Sequence, residues 1–416
     1  MTDFGAAALA FRIGQKPTFF MGELFMSNPH KRLIADLSTV SQNLRNDFGI
    51  KWTKYDSDVI PMWVADMDYG IAPEIAHRLQ KAIDGYGLGY ARQELADAVL
   101  FALVERYRIL FATHLEASLM LLATDVVQAI YLAISTFSSP GDSVVVQSPI
   151  YPPFMTAISD LNRKLSCNPL VETEDGYQLD LENLEALCSE PDTRILLLCN
   201  PHNPSGRVFG LHELTMIAEI AEKHQVLVIS DEIHGEITFD THTHIPFPLV
   251  AKEIGTSYIL LTSASKAFNL AGLRCAVATF SDSNLRGEFE KTPFHLRGAV
   301  SNLGMAGTVA AWTCGDAWQR EVMEQLAENR SFITSYLADQ NTDIVYRQPE
   351  GTYLAWLDFT RLEGWEEPAD VLEKRARVAL SPGDSFGPGG SGHARLNFAT
   401  SPAVLRDALS RIVGSL

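Results

Sequence analysis

From about Leu119 onward, short apolar runs alternate with longer stretches whose apolar residues recur every three or four positions. Leu119–Ala123, Ser143–Gln147, Ile195–Cys199, Val226–Ser230 and Tyr258–Thr262 read as strands, bounded by turn formers such as Pro140-Gly141 and Pro149. Val126–Phe137 and Leu211–Lys223 carry the helical period. Strands apolar on both faces, alternating with amphipathic helices, predict a mostly parallel sheet covered on both sides. Such sheets bind ligands at the carboxyl ends of their strands, so the residues just after each run are where chemistry is expected. A helical region from roughly Asn302 to Ala338 follows, with a long helix as connector. The pattern then changes to Tyr353–Phe359, a helix near Asp370–Arg377, and Arg395–Phe398, a smaller α+β unit. The predicted class is α/β, organised as an N-terminal extension or arm (1–50), a large domain (51–310) and a small C-terminal α+β domain (311–416) to which the N-terminal segment can contribute.

Composition narrows the function. With 416 residues, 46% of them apolar and 20% charged, the chain can bury a sizeable core. Its 33 Lys and Arg against 51 Asp and Glu leave a formal charge of −18, which repels phosphate backbones and anionic membranes and disfavours nucleic-acid partners. The five cysteines stand singly, without a CxxC pair, which points to a reducing compartment rather than a disulfide framework or zinc knuckle. Apolar stretches such as Ala98 to Val104 fall short of the roughly 20 residues of a membrane span. Phe4 to Phe11 lacks the cationic start of a secretory signal. The expectation is a cytoplasmic protein whose first residues, up to about Met26, extend outside the fold.

Three predicted strand ends carry distinctive polar groups. Ile195–Cys199 runs into Asn200-Pro201-His202-Asn203-Pro204-Ser205-Gly206, Val226–Ser230 into Asp231-Glu232-Ile233-His234, and Tyr258–Thr262 into Ser263-Ala264-Ser265-Lys266. Singly they read as a turn, a helix cap and a surface lysine. Together, at one sheet edge, they supply what pyridoxal phosphate requires: a lysine for the covalent link, a carboxylate for the pyridine nitrogen, and phosphate donors. Lys266 would make the link and Asp231 would pair with the ring nitrogen. Asn203 would bond the ring hydroxyl, and Ser263, Ser265 and Arg274 would hold the phosphate, where the arginine fork suits its oxygens. The helix beginning at Val126 and Val127 would meet that phosphate with its free N–H groups.

NPHNPSG, SDEIH and SASKAFNLAGLR resemble the signatures of class I/II aminotransferase-like enzymes of PLP fold type I. Pro61-Met62-Trp63-Val64-Ala65-Asp66-Met67-Asp68-Tyr69, Gly89-Tyr90-Ala91 and Ser148-Pro149-Ile150-Tyr151-Pro152-Pro153-Phe154 narrow the resemblance to the MalY/PatB-type cystathionine β-lyase branch. It runs from about Lys51 to the C-terminus, through Pro349-Glu350-Gly351-Thr352-Tyr353 and Arg395-Leu396-Asn397-Phe398. The resemblance implies that Tyr151 stacks on the cofactor ring. Arg395 takes the substrate α-carboxylate, with Asn203 and Ala65 also on the substrate side. Tyr90 reaches the phosphate of a neighbouring subunit, which implies a homodimer with sites at its interface. His234 falls near the ring oxygen, either as a direct participant or as a satisfied histidine closing the turn. One position departs from the branch: Asp125 stands where a glycine usually precedes the Val-Val pair, close to the expected phosphate.

The activity implied is a carbon–sulfur β-lyase that cleaves cystathionine or cysteine S-conjugates to a thiol, pyruvate and ammonia. An aminotransferase would use the same site residues, and a regulatory protein that kept the fold is a third alternative. His242 and His244 form an HxH pair without a third ligand at supportive spacing, so no metal site is expected. The glycines from Gly383 to Gly392 read as a mobile loop near the site, and Trp312 and Trp318 as core or dimer-contact residues.

Overall fold

A computed structural model describes residues 49–416 except 86, 174, 175, 240 and 241. Residues 1–48 of the expected arm, with Phe4 to Phe11 and Met26, lie outside the described residues. The strands in chain order are β1 (Ile60–Pro61), β2 (Met120–Ala123), β3 (Ser143–Ser148), β4 (Lys164–Pro169), β5 (Val171–Thr173), β6 (Gly176–Gln178), β7 (Thr193–Cys199), β8 (Leu227–Asp231), β9 (Tyr258–Thr262) and β10 (Ala276–Phe280). A second group comprises β11 (Val345–Tyr346), β12 (Leu354–Asp358), β13 (Val378–Ala379), β14 (Ser381–Pro382) and β15 (His393–Asn397).

Seven strands form one sheet in the order β2-β10-β9-β8-β7-β3-β4. Their alternation sorts side chains onto two faces. Leu196 and Leu198 of β7, Val228 of β8 and Leu260 of β9 enter one buried cluster. Ile195, Leu197, Ile229 and Ile259 enter the other. Both faces are thus dry, which is why these strands read as unbroken apolar runs. Strands β3, β4, β7, β8 and β9 are parallel, whereas β10 runs antiparallel to both β9 and β2. The chain leaves β3 for β4 on one side and for β7 on the other, so the crevice at their carboxyl ends is a topological switch point.

The helices Val126–Phe137 and Leu211–Lys223 begin and end as their periodicity predicts. The predicted helical region from Asn302 is two helices, Asn302–Cys314 and the long Asp316–Asp339. They break at Gly315, where a Cβ would lie 2.6 Å from the Phe268 ring and 2.7 Å from the Ala311 carbonyl. Only glycine at this cap lets the Phe268 ring, two residues past Lys266, approach so closely. Trp312 and Trp318 are both buried in the core.

The smaller sheet has the order β11-β12-β15-β14. Two-residue β1 pairs in parallel with β13, tying the chain ahead of the large sheet to the C-terminal elements. The glycine-rich stretch expected to be mobile is packed: Phe386 is buried, Ile150 N donates to its carbonyl at 2.8 Å, and Gly383 has no room for a Cβ beside Gly390 and His393. Close backbone contact, rather than flexibility, accounts for its glycines. Among the described residues no helix is long and apolar enough to cross a membrane.

Candidate active site

Strands β3, β7, β8 and β9 end on one edge of the large sheet, and each is followed by a residue singled out from the sequence. Asp231 closes β8, and its Oδ1 accepts the Ile233 N–H at 3.0 Å. Burial pushes its carboxyl up to about 7, against the pull of Lys266. Lys266 lies on the turn after β9, with Nζ donating to the Ala65 carbonyl at 2.8 Å. Burial lowers the amine's pKa, and Asp66 is the strongest opposing charge.

Ala65 is presented by a clamped loop. Asn397 Nδ2 donates to the carbonyls of Val64 at 2.7 Å and Asp66 at 2.6 Å. Asn269, three residues past Lys266, donates to the carbonyls of Met67 at 3.1 Å and Tyr69 at 2.9 Å. The Tyr353 hydroxyl donates to the same Ala65 oxygen at 2.9 Å, beside the lysine amine. The loop is thus pinned from both sheets, and its backbone faces the lysine.

Arg395 sits on β15, opposite Trp356 of β12 and Ser381 of β14. Its Nη1 donates to Asn203 Oδ1 at 2.9 Å, and Nη2 to the Trp63 carbonyl at 3.0 Å and Ser381 Oγ at 3.2 Å. All three acceptors are uncharged. Nε is buried with no partner among the described residues, and burial lowers the guanidinium to about 10. A buried cation surrounded by neutral oxygens is set up to receive an anion. His234 is buried, its ring edge-on to Tyr353 at 5.9 Å, and its Nδ1 has no partner among the described residues. Burial, with Lys266 and Arg395 nearby, keeps it neutral by pushing its pKa well down. Tyr151, at the start of the helix Pro152–Asp160, is half-buried, and burial raises its phenol.

The expected phosphate end lies where antiparallel β10 meets β2. Because Ala276 pairs with Ala123, the residues two places before β10 and two places after β2 share an edge. Arg274 therefore meets Asp125, Nη1 to Oδ2 at 2.5 Å. Asp125 Oδ1 also accepts the Gln128 N–H at 2.8 Å, so the carboxylate caps the helix that starts with Val126 and Val127. Both cap and pairing partner are thus the one unexpected residue. The Ser263 hydroxyl donates to the Cys275 carbonyl at 2.6 Å and accepts from Ser265 N at 3.1 Å, leaving its proton committed to backbone. Ser265 is half-buried. Tyr90 is fully exposed, on a loop pinned by Asn302 Nδ2 donating to Gly87 and Gly89 carbonyls at 2.9 and 2.8 Å.

Residues 25–412 match the family model described as aminotransferase class I and II. The chain belongs to that family. This family member is 33% identical over 377 residues to cystathionine β-lyase PatB of Bacillus subtilis, covering 88% of this chain and 96% of that one. Among solved structures it is similar to cystalysin from Treponema denticola, which contains a pyridoxal 5'-phosphate cofactor, with a TM-score of 0.85, 27% identity, and 89% and 96% of the two chains covered. A PLP-bound C-S lyase from Staphylococcus hominis gives 0.84 at 25% identity, covering 88% and 95%. The chain is a PLP-dependent enzyme, and its site residues fit the cofactor. Asp231 is a buried carboxyl whose raised pKa a protonated ring nitrogen would relieve, and His234 Nδ1 and Arg395 Nε are buried donors or acceptors awaiting partners.

Sequence reasoning did not assign roles to Tyr353, Asn269 or Asn397, because they act through backbone carbonyls more than three hundred or two hundred positions away in the chain. The HxH pair is used by the fold: His244 Nε2 contacts Glu232 Oε2 at 2.8 Å, while His242 lies 3.6 Å from Glu350.

Proposed function

We propose that this enzyme is a carbon–sulfur β-lyase acting on cystathionine or cysteine S-conjugates and releasing a thiol, pyruvate and ammonia. The observation that carries the PLP chemistry is Lys266 held on the Ala65 carbonyl, with a buried carboxyl, Asp231, and an arginine, Arg395, whose hydrogen-bond partners are all neutral, both near enough to act on its charge. Identity with PatB favours the lyase over the aminotransferase that the same residues would serve.

When bound, the cofactor supplies a covalent attachment for the substrate amine and an electron sink for charge developing at Cα. Lys266 would carry the attachment and then act as the base at Cα, a task its depressed pKa suits by keeping more of the amine neutral. Asp231 would hold the ring nitrogen charged and Tyr151 would cover the ring face. Asn203 and His234 would face the ring oxygen. Ser265, Arg274 and the N–H groups of Val126 and Val127 would hold the phosphate, joined by Ser263 only if its hydroxyl turns from the Cys275 carbonyl. Arg395 would grip the substrate carboxylate beside Asn203 and Ala65, and its burial keeps water from competing.

Tyr90, exposed in this chain, would complete the site of a second copy, making the enzyme a homodimer. Division into 51–310 and 311–416 would place Arg395 on the small domain and Lys266 on the large one, with the substrate between them. The single cysteines and the acidic charge support a cytoplasmic location. The test is the product: purified holoenzyme given cystathionine releases pyruvate and thiol without an added keto acid. Amino transfer that depends on a keto acid would establish the aminotransferase instead.

A further inference from the structure

β-Elimination needs two proton transfers: a base removes the Cα proton, and the departing sulfur needs an acid, because a thiolate is a poor leaving group in a dry site. The reading above assigns the first to Lys266 and leaves the second open. Tyr353 stands beside the lysine. Its hydroxyl and the Lys266 amine donate to one oxygen, that of Ala65, at 2.9 and 2.8 Å. It rises from the turn before β12, whose neighbour β15 carries Arg395. Its ring is edge-on to His234.

The Tyr353 acceptor is a neutral carbonyl, so the proton can be redirected to the leaving sulfur without breaking an ion pair, and the phenolate left behind lies beside the lysine at the same oxygen. Burial, with Asp66 next, raises the phenol well above its ordinary value and keeps it a donor, while Arg395 works in the opposite direction. A phenol so raised holds its proton at rest, and it becomes a competent acid only when a cation stands alongside to stabilise the phenolate, as the Lys266 ammonium does once the amine has taken the Cα proton.

We propose that Tyr353 is the acid of this site, giving its hydroxyl proton to the leaving sulfur as Lys266 takes the proton from Cα. The Cα–H electron pair becomes the Cα–Cβ double bond, and the carbon–sulfur pair stays on sulfur, which leaves as the thiol. The Lys266 ammonium then returns its proton to the Tyr353 phenolate. Nothing is oxidised or reduced. The inference rests on the lyase reading.

The experiment compares the wild-type holoenzyme with Tyr353→Phe, which keeps the ring packed on His234, using cystathionine and β-chloroalanine. Chloride leaves without a proton, whereas the alkanethiol of cystathionine needs one. Pyruvate release from cystathionine should fall roughly 10²–10⁴-fold in the variant. Release from β-chloroalanine should stay within several-fold of wild type, as should Cα–H exchange into D2O followed by NMR. The PLP-free variant should melt within a few degrees of the PLP-free wild type, showing an intact fold. Equal losses on both substrates, or no loss on either, overturn the assignment. If the wild-type enzyme releases pyruvate from neither compound, the lyase reading fails and takes this inference with it.

Discussion

Asp125 combines two roles that would normally fall to separate groups. Its carboxylate caps the helix at Gln128 N and pairs with Arg274, so it holds both a helix N-terminal donor and the guanidinium that a phosphate would use. A dianion arriving there meets repulsion of about 1 kcal/mol per charge at 4 Å in water, and several-fold more where partly desolvated. Asp125→Gly is therefore expected to tighten PLP binding about tenfold, with cap loss costing only a few tenths of a kcal/mol because glycine is itself tolerated at that position. Asp125→Asn keeps the cap and should give part of the gain. Titrating PLP into apo-protein at one ionic strength checks both, and equal or weaker binding in the glycine variant refutes the competition. Asp231 gives a second expectation. Its carboxyl is raised to about 7 in the fold from 3.8 unfolded, so the folded state binds a proton more tightly. The stability it contributes is fully present below about pH 4 and lost as pH rises through 7. PLP-free Asp231→Asn should therefore be more stable than wild type at pH 8, by the order of a few kcal/mol, and lose that advantage at pH 4. The same variant should hold PLP less tightly, having no charge to pair with the ring. Thermal melts of both apo forms across this pH range measure the effect, and parallel curves would show that Asp231 is not strained by burial.

At the scale of elements, the site depends on two departures from a uniform parallel sheet. Strand β10 runs antiparallel, so the residues preceding it, Arg274 among them, reach the edge where the parallel strands end. The second is the hook between Gly206 and Pro349–Gly351. Gly351 N donates to the Gly206 carbonyl at 2.8 Å, joining the loop that carries Asn203 to the turn that carries Tyr353. A Cβ at Gly351 would lie 2.8 Å from the Ile237 carbonyl, 2.9 Å from Val208 and 3.0 Å from Pro201. Gly351→Ala should thus cost about 1–3 kcal/mol by overpacking. It should also weaken catalysis beyond the stability loss, because it separates Asn203 from Arg395 and moves Tyr353. Denaturant melts beside kcat measured well below the melting point separate the two effects; a variant as stable and as active as wild type would show that the hook gives way freely.

For the whole molecule, Tyr90 is exposed on the loop that Asn302 pins, and the dimer proposed above can be tested through it. If Tyr90 completes a second copy's site, chains bearing Lys266→Ala and chains bearing Tyr90→Ala are each nearly inactive alone. Unfolded and refolded as an equal mixture, they should recover about a quarter of wild-type activity by random pairing, because each hybrid dimer holds one site with both residues intact. No recovery, with dimers present by sedimentation, would place Tyr90 outside the partner's site.

The strands and helices that carry Lys266, Asp231 and Asn203 were legible in the sequence because a sheet buried on both faces forces unbroken apolar runs, and because these polar residues, ordinary one by one, together match what a single cofactor needs at one sheet edge. The motifs around them identified the family and its cofactor for the same reason: short-range spacing fixes which groups share a strand end. Strand β10 was not legible, since apolar Ala276–Phe280 reads alike in either direction, and direction is set by which neighbour it finds. The need for glycine at 315 is set by Phe268, and that for the packed glycines of 383–392 by backbone that returns from His393. What only the tertiary structure decided were the partners: Asp125 with Arg274, and Tyr353 with Lys266 at the carbonyl of Ala65. A backbone oxygen bears no mark in the sequence, and the distance between groups far apart along the chain is fixed only when the sheets pack.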